Sequence, residues 1–228
     1  MKKILFLFAI VFNSLFAFSQ NDVTKFLGIP VDGTKSAMIR KLTSKGFNYH
    51  QTGDYLSGKF NGYSVNIHVV TNNKKVYRIF VEDAVSCNEA DIKIRFNQLV
   101  RQFEKNVNYD HTFDTNQSIS EDEDISFQMS MNSKRYEASF YQALNVSGKD
   151  SLEFANSLRN HLLTKYSKEE LEDTTETVRN LVLMDSMKYY YDLVSNKSVW
   201  FMISESWGNY KILMYYDNKK NQSDGEDL

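Results

Sequence analysis

The sequence predicts an α+β fold, in which hairpins form antiparallel sheet and amphipathic helices pack on one face of it. Short runs with alternating apolar and polar residues are separated by turn residues, which is typical of strands. Longer runs have apolar residues at helical spacing. Strand and helix candidates occur in groups rather than in strict alternation, which favours α+β over a parallel α/β sheet. Both halves of the chain contain hairpins and helices, so two similar halves are a further expectation.

The first 19 residues, MKKILFLFAIVFNSLFAFS, have the features of a secretory signal peptide. Lys2 and Lys3 form a basic start, Ile4 to Phe18 is apolar, and a small-residue cleavage site follows. A bilayer-spanning helix needs about 20 apolar residues, and no later segment comes close. We therefore expect secretion to the periplasm, the cell surface or the medium, with no transmembrane segment in the mature chain.

A first unit, residues 20–110, is predicted to contain two helices and a three-stranded meander. Asn61-Gly62 is a strong signal for a tight hairpin turn. The alternation in YSVNIHVVT gives the sheet one dry face and one wetter face. The expected elements are a helix in TKSAMIRKLTSKGF (34–47), strands YLSGKF (55–60), YSVNIHVVT (63–71) and KVYRIFVED (75–83), and a helix from Ser86 to about residue 106.

A second unit is predicted over residues 111–217, followed by a polar tail, 218–228. The polar, acidic stretch DTNQSISEDEDIS is the best candidate for a boundary, although the two units could pack as one domain. The expected elements are a hairpin of ISFQMSM and RYEASFYQAL, helices over 151–165, from Ser167 and over about 176–194, and a hairpin of SVWFMISES and YKILMYYD around the turn WGN.

The segment GIPVDGTKS, residues 28–36, differs by one residue from a phosphate-binding P-loop. Thr34 separates the second glycine from Lys35 and Ser36, which rotates both side chains by about 100° on a helix. We therefore expect a turn and a helix capped by Thr34 or Asp32. The sequence predicts no nucleotide and no cofactor.

Catalytic and metal-binding patterns do not rise above background in this sequence. The formal net charge is −2 at pH 7, which does not favour nucleic acid as a partner. The histidines have no metal-ligand spacing, so no metal site is predicted; His68 is the most suggestive, because it lies on the wetter face of a strand. A hydrolase with carboxylates dispersed in the sequence remains the alternative to a binding protein. The four histidines are His50, His68, His111 and His161.

The single cysteine, Cys87, is a candidate reactive thiol. Ser86 and Glu89 have the spacing of a capping box, which would put Cys87 at the first helical position. A helix N-terminus lowers the pKa of a thiol. The alternative is an inert, partly buried cysteine.

Aromatic residues concentrate near the C-terminal hairpin and suggest a binding surface. Consecutive strand residues face opposite sides, so Tyr215 and Tyr216 cannot both be buried against one layer. One face should then expose aromatic side chains to a protein or glycan partner, unless both faces are packed. The candidate binding residues are Trp200, Trp207, Tyr210, Tyr215 and Tyr216.

Three blocks resemble an uncharacterised family of secreted proteins from gut-type Gram-negative anaerobes: FLGIPVDGTKSAMIRKLTSKGF, VNIHVVTNNKKVYRIFVEDA, and VWFMISESWGNYKILMYYDN with DGEDL. This resemblance implies no particular activity. The G-T-K-S helix start followed by antiparallel strands is distantly similar to modules of the BamE and β-lactamase-inhibitor-protein type, which bind other proteins. The lipid-attachment cysteine of BamE is missing, and one helix stands where those modules have two.

Three triplets, DSL, DTT and DSM, resemble a general O-glycosylation signal of the same bacterial group. They make Ser151, Thr174 and Ser186 candidate acceptors.

Overall fold

The structure is a computed structural model that describes residues 23–111, 117–144, 149–172 and 175–223. The segment predicted to be a signal peptide, residues 1–19, lies outside the described residues.

The described residues form six α-helices and ten strands. The helices are α1 (Lys35–Ser44), α2 (Glu89–Glu104), α3 (Ile125–Asn132), α4 (Lys149–Leu162), α5 (Lys168–Glu172) and α6 (Glu176–Val194). The strands are β1 (Lys25–Phe26), β2 (Ile29–Pro30), β3 (Asn48–His50), β4 (Tyr55–Phe60), β5 (Tyr63–Asn72), β6 (Lys75–Asp83), β7 (Tyr109–His111), β8 (Glu137–Gln142), β9 (Ser198–Ser206) and β10 (Asn209–Asp217).

Eight strands form one antiparallel sheet in the order β3-β4-β5-β6-β10-β9-β8-β7, and β1 pairs with β2 separately. The α+β antiparallel fold is therefore confirmed. Because β6 lies beside β10, strands from both predicted units belong to the same sheet. From α1 to β6, and again from α2 to β10, a helix is followed in the sequence by four strands of the sheet. In the second of these segments, α3 is inserted between β7 and β8, and α4 to α6 between β8 and β9.

One face of the sheet, called here the core face, carries the hydrophobic core. Helices α1 and α2 pack on it, α1 over β3 to β6 and α2 over β7, β9 and β10, each through its apolar stripe. The N-terminal segment also belongs to this core through Phe26 and Val31. The core residues include Met38 and Leu42 of α1, Ile92, Phe96 and Phe103 of α2, and Ile67, Ile79, Met214, Phe201 and Phe140 of the sheet.

Helix α1 starts as the sequence predicts for GIPVDGTKS. Thr34 is its N-cap, and its hydroxyl oxygen accepts a hydrogen bond of 3.3 Å from the amide of Ala37. The amine of Lys35 forms an ion pair with the carboxylate of Asp54. The segment is a turn followed by a capped helix, and the interpretation is confirmed.

The predicted strand ISFQMSM is wrong, because these residues form α3. Asp124 caps the helix and accepts a hydrogen bond of 2.8 Å from the amide of Phe127. The carboxylate of Glu89 accepts another, of 3.0 Å, from the amide of Ile125. These two acceptors satisfy amides that a strand would pair with a neighbour, so no hairpin forms here.

Helices α4 and α6 form an antiparallel pair beside the β7–β8 end of the sheet. The amine of Lys165, in the turn after α4, lies 2.8 Å from the carboxylate of Asp185 in α6. Tyr190 donates a hydrogen bond to Asp110 near the sheet edge. Of the described helices, none is both long and apolar enough to span a membrane.

The first residues of the predicted polar tail are part of the fold. Asn218 is buried, and its backbone and side-chain amides donate to the carbonyls of Tyr77 (2.7 Å) and Val31 (2.8 Å). A short 3₁₀ helix, Lys219–Asn221, follows. The tail residues 224–228 lie outside the described part of the chain.

A buried ion pair joins α2 to the middle of the sheet. Arg95 donates through Nε to Asp83 at 2.7 Å and through Nη2 to its other carboxylate oxygen. Asp83 also accepts from the amide of Ile212, at 3.1 Å. The guanidinium stacks on the ring of Tyr63, with 3.4 Å between its Cζ and the ring centroid.

We expect Arg95→Ala to lower the free energy of unfolding by about 3–5 kcal/mol, since it leaves the Asp83 carboxylate buried without its cation. Urea denaturation measures the loss. The exposed pair of Lys35 and Asp54 supplies the control, because Lys35→Ala should cost about 0–1 kcal/mol. Equal effects of the two substitutions would contradict this account of α2.

Candidate binding surface on the open face of the sheet

The face of the sheet opposite α1 and α2, called here the open face, carries a row of aromatic rings. The strand register places one ring of each strand beside a ring of the next across six strands. From one end to the other, this aromatic row consists of His50, Tyr55, His68, Phe80, Tyr215 and Trp200.

Neighbouring rings in the aromatic row are in contact throughout. The centroid separations along it are 4.7, 6.0, 5.3, 5.0 and 4.0 Å, and four of the five pairs are stacked. Five inter-strand spacings of about 4.8 Å give the row a length of roughly 24 Å. Because the rings stack on one another, they present their edges rather than their faces to a partner.

Asp217 organises the Trp200 end of the aromatic row. Its buried carboxylate accepts from Arg78 Nε at 2.5 Å, from Arg78 Nη2 at 2.8 Å and from the indole Nε1 of Trp200 at 2.9 Å. The guanidinium carbon of Arg78 lies 4.8 Å from the ring centroid of Tyr215. The hydrogen bonds to Asp217 raise the pKa of Arg78, so its charge is fixed at neutral pH.

Polar groups border the other part of the aromatic row. His68 Nε2 lies 3.8 Å from the carboxylate of Glu82, which also accepts from Asn66 Nδ2 at 3.2 Å. His50 Nε2 is 2.7 Å from the hydroxyl of Ser57. The side chain of His68 is 33% exposed, so this face is in contact with solvent.

Two of the five predicted binding residues, Trp200 and Tyr215, lie in the aromatic row. The prediction that Tyr210 and Tyr216 belong to a binding surface is wrong. Their side chains are 2% and 4% exposed, because even-numbered residues of β10 face the core. Trp207 is 96% exposed but lies in the β9–β10 turn, outside the row. Sequence reasoning singled out His68 but missed His50, Tyr55 and Phe80, which become its neighbours only through strand pairing.

The predicted capping box at Ser86 is wrong. Helix α2 begins at Glu89, and its N-cap is Asn88, whose side chain accepts a hydrogen bond of 2.9 Å from the amide of Asp91. Cys87 therefore lies before the helix rather than at its first position.

Cys87 is held by an isolated β-bridge to the start of β10. Its amide and carbonyl each form a 2.9 Å hydrogen bond with the backbone of Tyr210. Burial, with a smaller contribution from Asp91 and Asp83, raises the pKa of the thiol. The environment thus works against the thiolate that a reactive cysteine needs.

The three candidate glycosylation sites have different settings. Ser151 is exposed on α4. Ser186 is half-buried on α6, and its hydroxyl donates to the carbonyl of Val182 at 2.7 Å. Thr174 lies outside the described residues.

Comparisons with known proteins found no significant match. No protein-family model matches the chain, and no curated protein sequence or solved structure is significantly similar to it. Within the part of the chain that the structure describes, no group of three or more His, Cys, Asp or Glu residues is placed to hold a metal ion.

The turn at Trp207 is conformationally costly. Trp207 has φ 54° and Gly208 has φ 72°, and the first of these is a conformation that asparagine tolerates far better than tryptophan. We expect Trp207→Asn to raise the free energy of unfolding by about 1 kcal/mol. Urea denaturation measures the gain, with Ser206→Asn in the adjoining strand as the control. A destabilised Trp207→Asn variant would show that the indole contributes to folding.

Alkylation by iodoacetamide at pH 8 should be slower for Cys87 than for N-acetylcysteine. A raised pKa leaves less thiolate at this pH, and the rate should keep rising with pH until the folded-state pKa is passed. Unfolding in urea should remove the difference. Faster alkylation of the folded protein than of the free thiol would restore the reactive-cysteine hypothesis.

Proposed function

We propose that this chain is a secreted binding protein that holds a protein partner on the open face of its sheet. The observation that carries the proposal is the aromatic row, which crosses six strands on a face that α1 and α2 leave uncovered. Tyrosine and tryptophan are the residues that most often anchor protein interfaces. The signal-peptide pattern of residues 1–19 supports a location outside the cytoplasm.

The stacking geometry favours a protein over a glycan. A sugar ring binds an aromatic residue through an exposed ring face, whereas the inner rings of this row cover one another. Tyr215, for example, lies between Phe80 at 5.0 Å and Trp200 at 4.0 Å. Ring edges and polar tips suit the mixed apolar and hydrogen-bonding contacts of a protein surface.

Preorganisation is a second property that suits binding. Asp217 fixes both Arg78 and Trp200 before a partner arrives. Each contact that is already ordered in the free protein reduces the entropy lost on association. The side chains at this end of the aromatic row are therefore already ordered for binding and need not rearrange.

The hydrolase alternative has no comparable support. Its defining feature is two facing carboxylates in a cleft. A cleft of about 800 Å³ opens on the core-face side, and its described lining includes no Asp and no Glu. A second cleft, of about 670 Å³, lies against α5 and α6 and is lined by Glu170 and Glu176. Both glutamates are exposed, and the carboxylate of Glu170 accepts a hydrogen bond of 2.8 Å from the amide of Ser167 before α5. Among the described residues, the two buried carboxylates are those of Asp83 and Asp217, and each is paired with an arginine.

Site-specific photo-cross-linking in the native host tests the proposal. We place p-benzoylphenylalanine at Leu213, on the open face beside the aromatic row, and at Ile94, which is 56% exposed on α2. The Leu213 probe should give a discrete protein adduct that the Ile94 probe does not. Trp200→Ala should reduce the adduct yield strongly, because a central aromatic anchor contributes about 2 kcal/mol or more.

Trp207→Ala is the matched control, since it removes an exposed tryptophan outside the row and should leave the adduct unchanged. Met202→Glu adds charge to the open face without removing a ring, which guards against unfolding of the Trp200 variant. Thermal melts confirm that each variant folds. Identical adducts from both probes, or adducts insensitive to Trp200→Ala and Met202→Glu, would refute the proposal.

A further inference from the structure

The cleft of about 800 Å³ on the core-face side lies beside the C-terminal half of α2. Its walls come from the β1–β2 turn, the end of β4, α2, the start of β7 and the end of β8. The volume lies within the range of about 300–1,000 Å³ that is usual for small-molecule sites. The cleft is therefore large enough for a ligand, and its lining indicates the chemistry of that ligand.

The apolar part of the cleft consists of a floor of core residues and a leucine at the rim. Phe60 of β4 is half-buried, and its ring centroid lies 5.2 Å from that of Phe26 in the core. Leu27 is 39% exposed and is the first of the two residues in the β1–β2 turn, with φ 52°. Asparagine suits this turn position far better than leucine. The exposed apolar side chain is thus kept at the rim despite a local cost to folding.

The cleft carries little charge. Its described lining residues include no Asp and no Glu, and the basic ones are Lys25 and Lys59. Adjacent strand residues face opposite sides, so Phe60 faces the cleft and the side chain of Lys59 faces away from it. Lys25 is exposed, and water screens a charge in that position. The lining therefore favours an uncharged ligand.

Exposed amide side chains border the cleft. An amide both donates and accepts hydrogen bonds without carrying charge. The Nδ2 of Asn61 donates to Gln102 Oε1 at 2.7 Å. The Oδ1 of Asn106 accepts from the backbone and side-chain amides of Asn108, at 3.1 and 3.0 Å. These bonds leave an acceptor on both Asn61 and Asn108, and they leave a donor on both of the partners.

The protein already holds a peptide group at this cleft with an amide side chain. Gln142 Oε1 accepts from the backbone amide of Lys25 at 2.7 Å, and Gln142 Nε2 donates to the carbonyl of Lys25 at 2.6 Å. Gln117 holds the backbone of Ser139 in the same way, at 2.6 and 3.5 Å. Each glutamine takes the position of a neighbouring strand. The other amides of the cleft present the same two groups, a donor and an acceptor, to a ligand.

We infer that this cleft binds a short peptide segment with apolar side chains. The donors of Gln102 and Asn106 and the acceptors of Asn61 and Asn108 bind its peptide groups. An apolar side chain of the segment packs between the floor and Leu27. A sugar fits less well, because it brings no apolar side chain for the floor and the rim. The site is separate from the aromatic row, so it stands or falls independently of the partner-binding proposal.

Calorimetric titration with the blocked dipeptide acetyl-leucyl-leucine methylamide tests the inference. The matched probe has an ester oxygen in place of the central peptide nitrogen, and it should bind about fivefold more weakly because it lacks one donor. Diacetylchitobiose, a sugar with amides but no apolar side chains, should bind at least about tenfold more weakly than the dipeptide.

Two substitutions separate the polar contacts from the apolar ones. Gln102→Met removes a donor and should weaken binding of the dipeptide about fivefold. Gln51→Met, in the exposed turn between β3 and β4, is the matched control and should change nothing. Leu27→Asn removes the apolar rim and should weaken binding about tenfold. This variant should be no less stable than the parent protein, because asparagine fits the turn, and a thermal melt checks that it folds.

NMR of the side-chain amide groups locates the ligand. Signals of Gln102 and Asn106 should shift on titration with the dipeptide, whereas the indole signal of Trp200 should not. No binding of the dipeptide at about 1 mM, equal binding of dipeptide and ester, binding of the sugar as tight as that of the dipeptide, or shifts confined to other amides would overturn the inference. Trp200→Ala should leave dipeptide binding intact, which distinguishes failure of this site from failure of the open face.

Discussion

The pairing of β6 with β10 is the constraint on which the rest of the structure depends. It joins strands formed before residue 84 to strands formed after residue 197, and its register sets Phe80 opposite Tyr215. Side chains alternate along a strand, so a slip of one residue would send Phe80 into the core and Val81 to solvent. One register therefore determines both the hydrophobic core and the aromatic row.

Two buried aspartates lie at the two ends of this pairing, on opposite faces of the sheet. Asp83 on the core face binds Arg95 and the amide of Ile212, so it positions α2 over β10. Asp217 on the open face binds Arg78 and the indole of Trp200. Buried ion pairs add little net stability over apolar residues, but a shifted register would leave each carboxylate without its partner. Their contribution is to specify one register.

Local patterns in the sequence were sufficient for most strands and helices but not for the site. Alternation and turn residues located β4, β5, β6, β9 and β10, and strand parity showed that Tyr215 and Tyr216 face opposite sides. Residues 125–131 were misassigned because a period-two pattern in seven residues also fits a helix, and the cap contact from Glu89 is not visible in the local sequence. The aromatic row was beyond prediction for the same reason: Phe80 and Tyr215 are neighbours only after distant strands pair.

Adjacent residues of β10 face opposite sides of the sheet. Tyr215 belongs to the aromatic row, whereas Tyr216 is buried on the core face, where its ring centroid lies 4.9 Å from that of Phe26. Because β10 is paired on both sides, by β6 and by β9, its backbone is fixed and side-chain changes on one face need not disturb the other. The sheet thus separates the aromatic row from the hydrophobic core by a single layer of backbone.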